Sequence, residues 1–183
     1  MGKIYYVRHG KTEYNTKKLW SGTTNTQLTN EGKKQAKDTG EQLKKIKFDI
    51  AFVSPLQRAI DTFGFINKPH RLIPIIDKRI IERPLGKMEG TTNVEEDSLV
   101  KRTKLHNYKL NSDFGLKIEK IQVTDKRVKN FINEITKKHK NKNILIVAHG
   151  GIGRHFEAHF NGIPKNGVLP EESKNAEVRI YKF

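Results

Sequence analysis

Short runs of apolar, mostly β-branched residues alternate along the chain with longer stretches in which apolar side chains recur every three or four positions. Short runs of this kind are typical of buried β-strands. They predict five strands, over residues 4–7, 50–53, 72–76, 143–148 and 176–183. The first run ends abruptly at Arg8, so we expect the first strand to lead into a loop that carries polar side chains.

The longer stretches predict helices, and two of these have recognisable starts. Thr29 is an N-cap for a helix that runs to about residue 45. Ser54 and Pro55 supply an N-cap and a first-turn proline for another helix, which ends before Pro69. Helical spacing of apolar residues predicts two more helices, over about residues 124–138 and residues 151–160.

Repeated strand–helix units predict an α/β protein, in which a mostly parallel central sheet lies between two layers of helices. We expect one domain over residues 1–183, because this length falls within the usual range for a single core. Between about residues 91 and 120 the pattern is weak, and we expect a variable segment with short helices.

Ligands of such folds bind beyond the carboxyl ends of the strands. Four polar residues follow predicted strands closely, namely Arg8, His9, Ser54 and His149. We therefore expect their side chains to gather at one edge of the sheet.

The formal net charge of +16 at pH 7 favours anionic partners through long-range attraction. Nucleic acid, a membrane surface and phosphorylated metabolites all qualify, so the charge does not choose among them. Many lysines lie in predicted helical stretches, such as residues 33–47 and 137–142, where charge runs usually coat solvated faces. We interpret most of the charge as such a solvated surface.

Composition disfavours several classes of protein. With 34% apolar and 31% charged residues, the chain is typical of a soluble globular protein. No run approaches the roughly 18 apolar residues of a membrane span. Arg8 and His9 interrupt the N-terminal region before the apolar core of a signal peptide can form, so we expect a cytoplasmic protein. Without cysteine, the chain can form no disulfide, thiolate nucleophile or cysteine-based metal site.

Four short motifs stand in register along the chain. They are Val7-Arg8-His9-Gly10-Lys11-Thr12 with Asn15, Ser54-Pro55-Leu56-Gln57-Arg58-Ala59 with Thr62, Glu82 with Gly86 and Glu89-Gly90, and Ala148-His149-Gly150-Gly151. In this order and at these separations the chain resembles branch 1 of the histidine phosphatase superfamily, the phosphoglycerate mutase-like family. The resemblance spans nearly the whole chain and implies that family's three-layer α/β/α fold.

Phosphoryl transfer needs an in-line nucleophile, charge stabilisation on the equatorial oxygens and a proton for the leaving oxygen. The resemblance implies that His9 is the nucleophile, with one ring nitrogen attacking phosphorus while the other donates to a backbone carbonyl. Arg8 and Arg58 resemble the paired arginines of the phosphate pocket, where their planar forks suit phosphoryl oxygens.

Three further residues are assigned to the phosphate pocket. His149 resembles the family's second pocket histidine, which we expect to be cationic beside a bound dianion. Gly150 leaves room for a backbone N–H group to approach the phosphate. Asn15 either adds an amide donor or serves only as a turn residue.

Two carboxylates compete for the role of proton donor. Glu82 opens the pattern Glu-x-x-x-Gly-x-x-Glu-Gly, which ends at Gly90, and it resembles the family's donor. Such an acid can then act as a base toward water in a second step. Glu89 belongs to the same pattern, and the capping of a helix or turn suits it better.

Three other signals are weaker. Gly10-Lys11-Thr12 is similar to the end of a P-loop, but Tyr5 stands where the first glycine is required. His155 and His159 have metal-ligand spacing but lack an adjacent glutamate and a third ligand, so we predict no metal. Aromatic residues lie among basic ones, but no RNP-type or Cys/His motif favours nucleic acid; they are Trp20, Tyr5, Tyr6 and Phe131.

Two reactions share such a site, because either water or a second substrate hydroxyl can take the phosphoryl group from His9. Cofactor-dependent phosphoglycerate mutases of the family carry a longer insertion, with an arginine cluster, after the Glu-Gly segment. Only about thirty residues separate Gly90 from the next strong helix, and their basic residues include Lys101, Arg102 and Lys104. We therefore predict a phosphatase, with a 2,3-bisphosphoglycerate-dependent mutase as the alternative. A noncatalytic nucleic-acid-binding or regulatory module is the rival from another class.

The expected substrate is a small anionic phosphorylated metabolite, such as a sugar phosphate or phosphoglycerate. Many phosphatases of the family have Gly-Glu-Ser before the late helix and an arginine eight residues beyond the glutamate. In this chain Glu119 and Arg127 match the glutamate and the arginine of that pattern, whereas Ile118 and Lys120 stand in place of its glycine and serine. We therefore expect the substrate-facing segment to be specialised. The resemblance implies no cofactor and no membrane partner, and a homodimer stays open.

Overall fold

The computed structural model describes residues 1–92, 106–107 and 116–183. The strands are β1 (Lys3–Arg8), β2 (Ile50–Val53), β3 (Pro74–Ile76), β4 (Asn143–Ala148) and β5 (Val178–Lys182). The helices are α1 (Glu13–Thr16), α2 (Asn30–Leu43), α3 (Gln57–Ile66), α4 (Ile121–Lys138) and α5 (Gly150–Asn161). Single 3₁₀ turns cover Lys78–Ile80 and Gly86–Met88.

The five strands form one sheet in the order β3-β2-β4-β1-β5. All neighbours run parallel except β5, which is antiparallel to β1. The register places Arg8 opposite Ala148, and Val53 opposite Val147. The carboxyl ends of β1, β2 and β4 therefore meet at one edge of the sheet, as the sequence predicts.

Alternate side chains of the strands enter two separate cores, one on each face of the sheet. Tyr6 and Ile146 point into the core that contains Phe131 of α4 and Phe156 of α5. Tyr5, Val7 and Leu145 point into the other core, which α2 and α3 close with residues such as Leu43 and Phe63. The predicted mostly parallel α/β arrangement with helices on both faces is confirmed.

Of the two helix N-caps predicted from the sequence, one is confirmed and one is wrong. The Thr29 hydroxyl accepts a hydrogen bond from the Gly32 N–H group at 3.0 Å, which confirms the predicted N-cap of α2. The predicted cap at Ser54 is wrong, because α3 begins at Gln57 and its N-cap residue is Leu56, which makes no side-chain cap. Ser54 is fully buried, and its hydroxyl lies 2.6 Å from the ring of His149.

Other boundaries differ from the pattern by a few residues. The pattern does not predict helix α1, which is a single turn. The Thr12 hydroxyl accepts a hydrogen bond from the Asn15 N–H group, and the Asn15 side chain accepts one from the Thr12 N–H group. These two bonds form a capping box at the start of the turn. Strand β3 begins at residue 74, since the Leu72 backbone is instead bonded to the side chain of Asn67. The predicted short helices between residues 91 and 120, with Lys101, Arg102 and Lys104, lie outside the described residues.

Across the described part of the chain, no helix combines the length and apolar character that a bilayer crossing requires.

Replacing Phe131 by alanine should lower the free energy of unfolding by about 3–5 kcal/mol. Phe131 is fully buried, and its ring meets Phe52 edge-on with centroids 5.3 Å apart. Val123→Ala on the same helix is the control, because Val123 is 51% exposed and its truncation should cost no more than about 0.5 kcal/mol. Urea unfolding of both variants measures the difference, and equal losses would contradict the assigned core.

Candidate active site

A pocket opens at the carboxyl edge of the sheet, where the loops after β1, β2 and β4 meet. Six of the seven predicted site residues line it, and five of them are Arg8, His9, Arg58, Glu82 and Gly150. Asn15 also lines this pocket, and His149 lies beside it, with its ring centroid 5.3 Å from that of His9. The structure thus brings all the predicted residues together.

His9 is held in one orientation by the backbone around it. Its own N–H group donates to the Ala148 carbonyl at 3.0 Å, which extends the pairing of β1 with β4 by one residue. Its ring nitrogen Nδ1 lies 2.8 Å from the Gly10 carbonyl oxygen, and a carbonyl can only accept. Nδ1 therefore carries the proton, and Nε2 is the ring nitrogen with a free lone pair.

Burial keeps the His9 ring neutral. Loss of solvent lowers the pKa of His9 well below its usual range, and the charges of Arg58 and Arg8 lower it further. The hydrogen bond to Gly10 opposes this change but is a smaller effect. A neutral imidazole with an exposed lone pair is the form that can act as a nucleophile.

His149 lies at the N-cap of α5 and is fully buried. The Tyr6 hydroxyl donates to the His149 carbonyl and accepts from the His149 N–H group at 3.1 Å, which fixes the backbone at this turn. The ring nitrogen Nε2 lies 2.6 Å from the Ser54 hydroxyl. When that hydroxyl donates, the neutral ring carries its proton on Nδ1.

Burial also lowers the pKa of His149 well below its usual range, with further contributions from Arg58, His9 and Arg8. His149 is therefore neutral at pH 7 in the free protein. The sequence analysis expects His149 to be cationic when a dianion is bound, because the negative charge would favour uptake of a proton by the ring. That expectation stays a prediction.

The two arginines are anchored by backbone carbonyls. Arg58 is 1% exposed and donates from Nη1 to the Thr24 carbonyl at 2.8 Å and from Nη2 to the Gly22 carbonyl at 2.7 Å. Arg8 donates from Nη1 to the Ser173 carbonyl at 2.6 Å, and the same nitrogen lies 3.5 Å from a carboxylate oxygen of Glu172. Burial lowers the pKa of Arg58 to about 10, so this side chain remains a cation at neutral pH.

Three buried nitrogen atoms beside His9 have no hydrogen-bond partner in the described part of the chain. They are Nε of Arg8, Nε of Arg58 and Nδ1 of His149. Leaving such donors unpaired in a protein interior costs about 1–3 kcal/mol each, and more for charged groups. An anion with several acceptor oxygens, such as a phosphoryl group, fits this set of donors.

Glu82 is oriented by two backbone donors. One carboxylate oxygen accepts from the Arg83 N–H group at 2.8 Å, and the other accepts from the Gly151 N–H group at 3.0 Å. A side chain at position 151 would collide with this carboxylate, and one at position 150 would collide with Glu172. The two consecutive glycines after His149 thus allow carboxylates to approach the start of α5.

Arg127 holds the backbone that leads to Glu82. Its Nη1 donates to the carbonyls of Arg79 and Ile81 at 2.7 and 2.8 Å, and its Nη2 lies 3.0 Å from the Glu119 carboxylate. The Glu119 and Arg127 positions singled out in the sequence are therefore an ion pair that supports the segment carrying Glu82.

The side-chain oxygen of Asn15 stabilises the turn that contains α1. The Oδ1 atom accepts from the Thr12 N–H group at 3.1 Å and from the Asn175 amide at 3.2 Å. Because the oxygen is used in this way, the NH₂ end is the part of the amide left for the pocket that Asn15 lines. The turn role is shown, and the donor role stays a prediction.

Glu89 has the capping role that the sequence favours for it. Its carboxylate accepts from the N–H groups of Thr23, Thr24 and Leu85 at 3.0, 2.9 and 3.0 Å. The carbonyls of residues 22 and 24 in the same loop hold Arg58, so Glu89 helps to place that arginine.

Sequence reasoning missed several contributors to the site. Ser54 lies at the edge of the sheet where the sequence predicts it, but its hydroxyl was assigned to a helix cap and not to His149. Glu172 and Asn175 were not considered. Asn175 donates to the His9 carbonyl at 3.1 Å. The position of Asn175 just before the last predicted strand is the one local signal that could have drawn attention to it.

Lowering the pH from about 7 to about 5.5 should reduce the free energy of unfolding by roughly 1 kcal/mol for each of His9 and His149. In the unfolded chain these rings take up protons below a pKa of about 6.5, whereas the folded protein keeps both neutral. The unfolded state thus binds more protons, and stability falls as the pH falls. Urea unfolding at both pH values should show a smaller fall for His149→Asn than for the wild type; identical falls would contradict a neutral, buried His149.

Comparison with known proteins gives consistent results. Residues 4–183 match the histidine phosphatase superfamily (branch 1). A 2,3-bisphosphoglycerate-dependent phosphoglycerate mutase of Cytophaga hutchinsonii is 32% identical over 98% of this chain and 87% of that protein. The uncharacterized phosphatase PhoE of Bacillus subtilis is 32% identical over 82% of this chain and 72% of its own length.

Among solved structures, Bacillus stearothermophilus YhfR is similar, with a TM-score of 0.85 and 26% identity, covering 98% of this chain and 90% of that chain. The sequence match covers the β1 loop that carries His9, the α3 segment that carries Arg58, and the start of α5 with its histidine and two glycines. The chain therefore belongs to branch 1 of the histidine phosphatase superfamily.

Proposed function

We propose that this protein hydrolyses phosphomonoesters of small metabolites through a phosphohistidine formed on His9. The observation that carries the proposal is that Arg8, Arg58 and His149, which lie near His9, each have one buried nitrogen atom without a partner in the described part of the chain, while Nε2 of His9 keeps its lone pair. These atoms suit the oxygens of a phosphoryl group, while Nε2 suits attack on its phosphorus.

In the first step, Nε2 of His9 forms a bond to phosphorus as the bond from phosphorus to the leaving oxygen breaks. Arg8 and Arg58 stabilise the negative charge of the equatorial oxygens. The charge of the bound phosphoryl dianion favours a proton on Glu82, and Glu82 transfers this proton to the leaving oxygen, so that the alcohol departs neutral. The hydrogen bond from Nδ1 to the Gly10 carbonyl keeps the ring oriented throughout.

In the second step, water attacks the phosphorus of phospho-His9. Glu82, now a carboxylate, takes a proton from that water, and the bond from phosphorus to Nε2 breaks. Inorganic phosphate and neutral His9 result, and Glu82 is protonated again. The carboxylate is aimed at this task by its two backbone donors, Arg83 and Gly151.

A phosphoglycerate mutase is the second candidate, and the names of several relatives favour it. The relative from Cytophaga hutchinsonii carries that name and matches 98% of this chain. The short segment after Gly90, without the arginine cluster of those mutases, supports hydrolysis instead. A nucleic-acid-binding role receives little support, because Trp20, Tyr5, Tyr6 and Phe131 are all buried.

His9→Ala should reduce phosphate release from phosphomonoesters by about 1,000-fold or more, since the nucleophile is lost. His159→Ala is the control, because this residue of α5 does not line the pocket. Rapid quenching of the wild type with a ³²P-labelled substrate should also trap an acid-labile, base-stable phosphoprotein. Phosphate release that survives His9→Ala would end the proposal.

The same purified proteins can be used to distinguish hydrolysis from mutase activity. Conversion of 3-phosphoglycerate to 2-phosphoglycerate is followed beside phosphate release, with and without a bisphosphoglycerate primer. We expect phosphate release to be the faster reaction and to need no primer. Primer-dependent conversion that outpaces hydrolysis would replace the phosphatase assignment by a mutase.

Glu82→Gln should slow the first phosphoryl transfer from an alkyl phosphate by about 100-fold or more, because an amide cannot supply the proton. Transfer from p-nitrophenyl phosphate should slow by less than about tenfold, since nitrophenolate leaves without protonation. Single-turnover rates of the two substrates measure the contrast. Equal slowing of both substrates would contradict the proton-donor role and leave Glu82 a structural residue.

A further inference from the structure

A buried acid–histidine pair lies between the two helices behind the pocket. Asp125 of α4 and His155 of α5 are each 3% exposed, and Nδ1 of His155 lies 3.3 Å from Oδ1 of Asp125. The second carboxylate oxygen of Asp125 lies 2.8 Å from the Lys129 ammonium group. Buried charged groups are expensive unless they are paired, and the proposed mechanism uses neither residue.

His155 also belongs to the wall of the active-site pocket. It is four residues beyond Gly151 on α5, so the two residues share a face of the helix. The Gly151 N–H group binds the Glu82 carboxylate, and the charge of Glu82 is felt at His155. His155 therefore lies one helical turn beyond the group that binds Glu82, on the side of the pocket formed by α5.

The pair has a defined protonation state. Although burial opposes ionisation, hydrogen bonds from His155 and Lys129 hold the pKa of Asp125 at about 2. Burial holds the pKa of His155 below its usual range, against the opposing influence of Asp125. At neutral pH, Asp125 is thus a carboxylate and His155 a neutral ring with its proton on Nδ1, directed toward Asp125.

The opposite ring nitrogen, Nε2, then has a lone pair and can only accept a hydrogen bond. Within the described ranges, no residue bonds to this atom. Ile121 also lines the pocket and offers no polar side chain. Nε2 of His155 is thus a polar acceptor on this wall, one helical turn from the backbone group that orients Glu82.

We propose that the Asp125–His155 pair is a substrate subsite that accepts a hydrogen bond from a hydroxyl group of the leaving alcohol. This inference rests on the proposed phosphatase function, in which Glu82 protonates the leaving oxygen, so its neighbour His155 meets the carbon atoms attached to that oxygen. The class of substrate it selects is a phosphate ester of a polyol or sugar. A substrate with an alkyl chain at this place would leave Nε2 of His155 without a hydrogen-bond donor. A substrate with a carboxylate there would be repelled by the lone pair of Nε2 and by the negative charge of Asp125.

The test compares two substrates that differ in hydroxyl groups, glycerol 3-phosphate and n-propyl phosphate. The wild type should prefer glycerol 3-phosphate in kcat/KM by roughly three- to tenfold, the value of one hydrogen bond. In His155→Leu the ratio of the two kcat/KM values should fall to near unity. The kcat/KM for glycerol 3-phosphate should decrease, whereas that for n-propyl phosphate should stay the same. His159→Leu, one turn further along α5 and outside the pocket, should keep the wild-type preference.

A second variant guards against misfolding of the first. Asp125→Asn keeps the volume of the side chain but removes the charge that holds the His155 proton on Nδ1, so the preference should weaken. The melting temperature of each variant shows whether it is folded. A role confined to packing would lower the melting temperature and slow both substrates equally, and that result would overturn the subsite.

A failure of the proposed function is distinguishable from a failure of the subsite. Absence of His9-dependent phosphate release in the wild type would contradict only the function. Binding of the two esters to His9→Ala protein, with and without His155→Leu, then decides the subsite by calorimetry. Tighter binding of glycerol 3-phosphate that disappears in the double variant supports the subsite, and an unchanged ratio of dissociation constants overturns it.

Discussion

The parallel pairing of β1 with β4 is the constraint on which the site depends. It continues one residue past the strand ends, where the His9 N–H group donates to the Ala148 carbonyl. This bond places His9 next to His149 although 140 residues separate them, and the rings lie 5.3 Å apart. A register shift of one residue would turn each side chain at the strand ends to the opposite face of the sheet. His9 and His149 are thus positioned by backbone hydrogen bonds.

Burial around this pair then sets the chemistry. Loss of solvent keeps both histidines neutral. Nε2 of His9 therefore has the lone pair that the proposed mechanism requires, and Nδ1 of His149 is a donor when the Ser54 hydroxyl donates to Nε2. Arg58 stays cationic and is anchored through both terminal nitrogens to backbone carbonyls, and Arg8 is anchored through Nη1. Nε of each arginine is without a partner among the described residues. These groups are therefore fixed in advance, and the phosphoryl transfer that we propose would need little reorganisation.

Helix α5 links the phosphate side of the pocket to the leaving-group side. Its first turn contains Gly150 and Gly151, and the absence of side chains there lets Glu172 and Glu82 lie close to the helix start. One turn later, His155 faces the same pocket and is backed by Asp125 of α4. The spacing along a single helix thus separates the N–H group that binds Glu82, the proposed proton donor, from His155, which we propose recognises the alcohol.

Much of this protein could be predicted from its sequence, because strand cores and the Thr29 cap depend on short-range patterns. The strand-end positions of Arg8, His9 and His149 and the four motifs in register identified most of the pocket. The strand-end pattern places Ser54 and His149 at the same edge of the sheet, but it could not reveal the hydrogen bond between them, or that Asn175 supports His9. The neutral state of His149 in the free protein, and the pairing of Asp125 with His155, were likewise decided only by the tertiary structure. Hydrogen-bond partners and loss of solvent depend on groups that are distant in the chain, and only the folded protein brings those groups together.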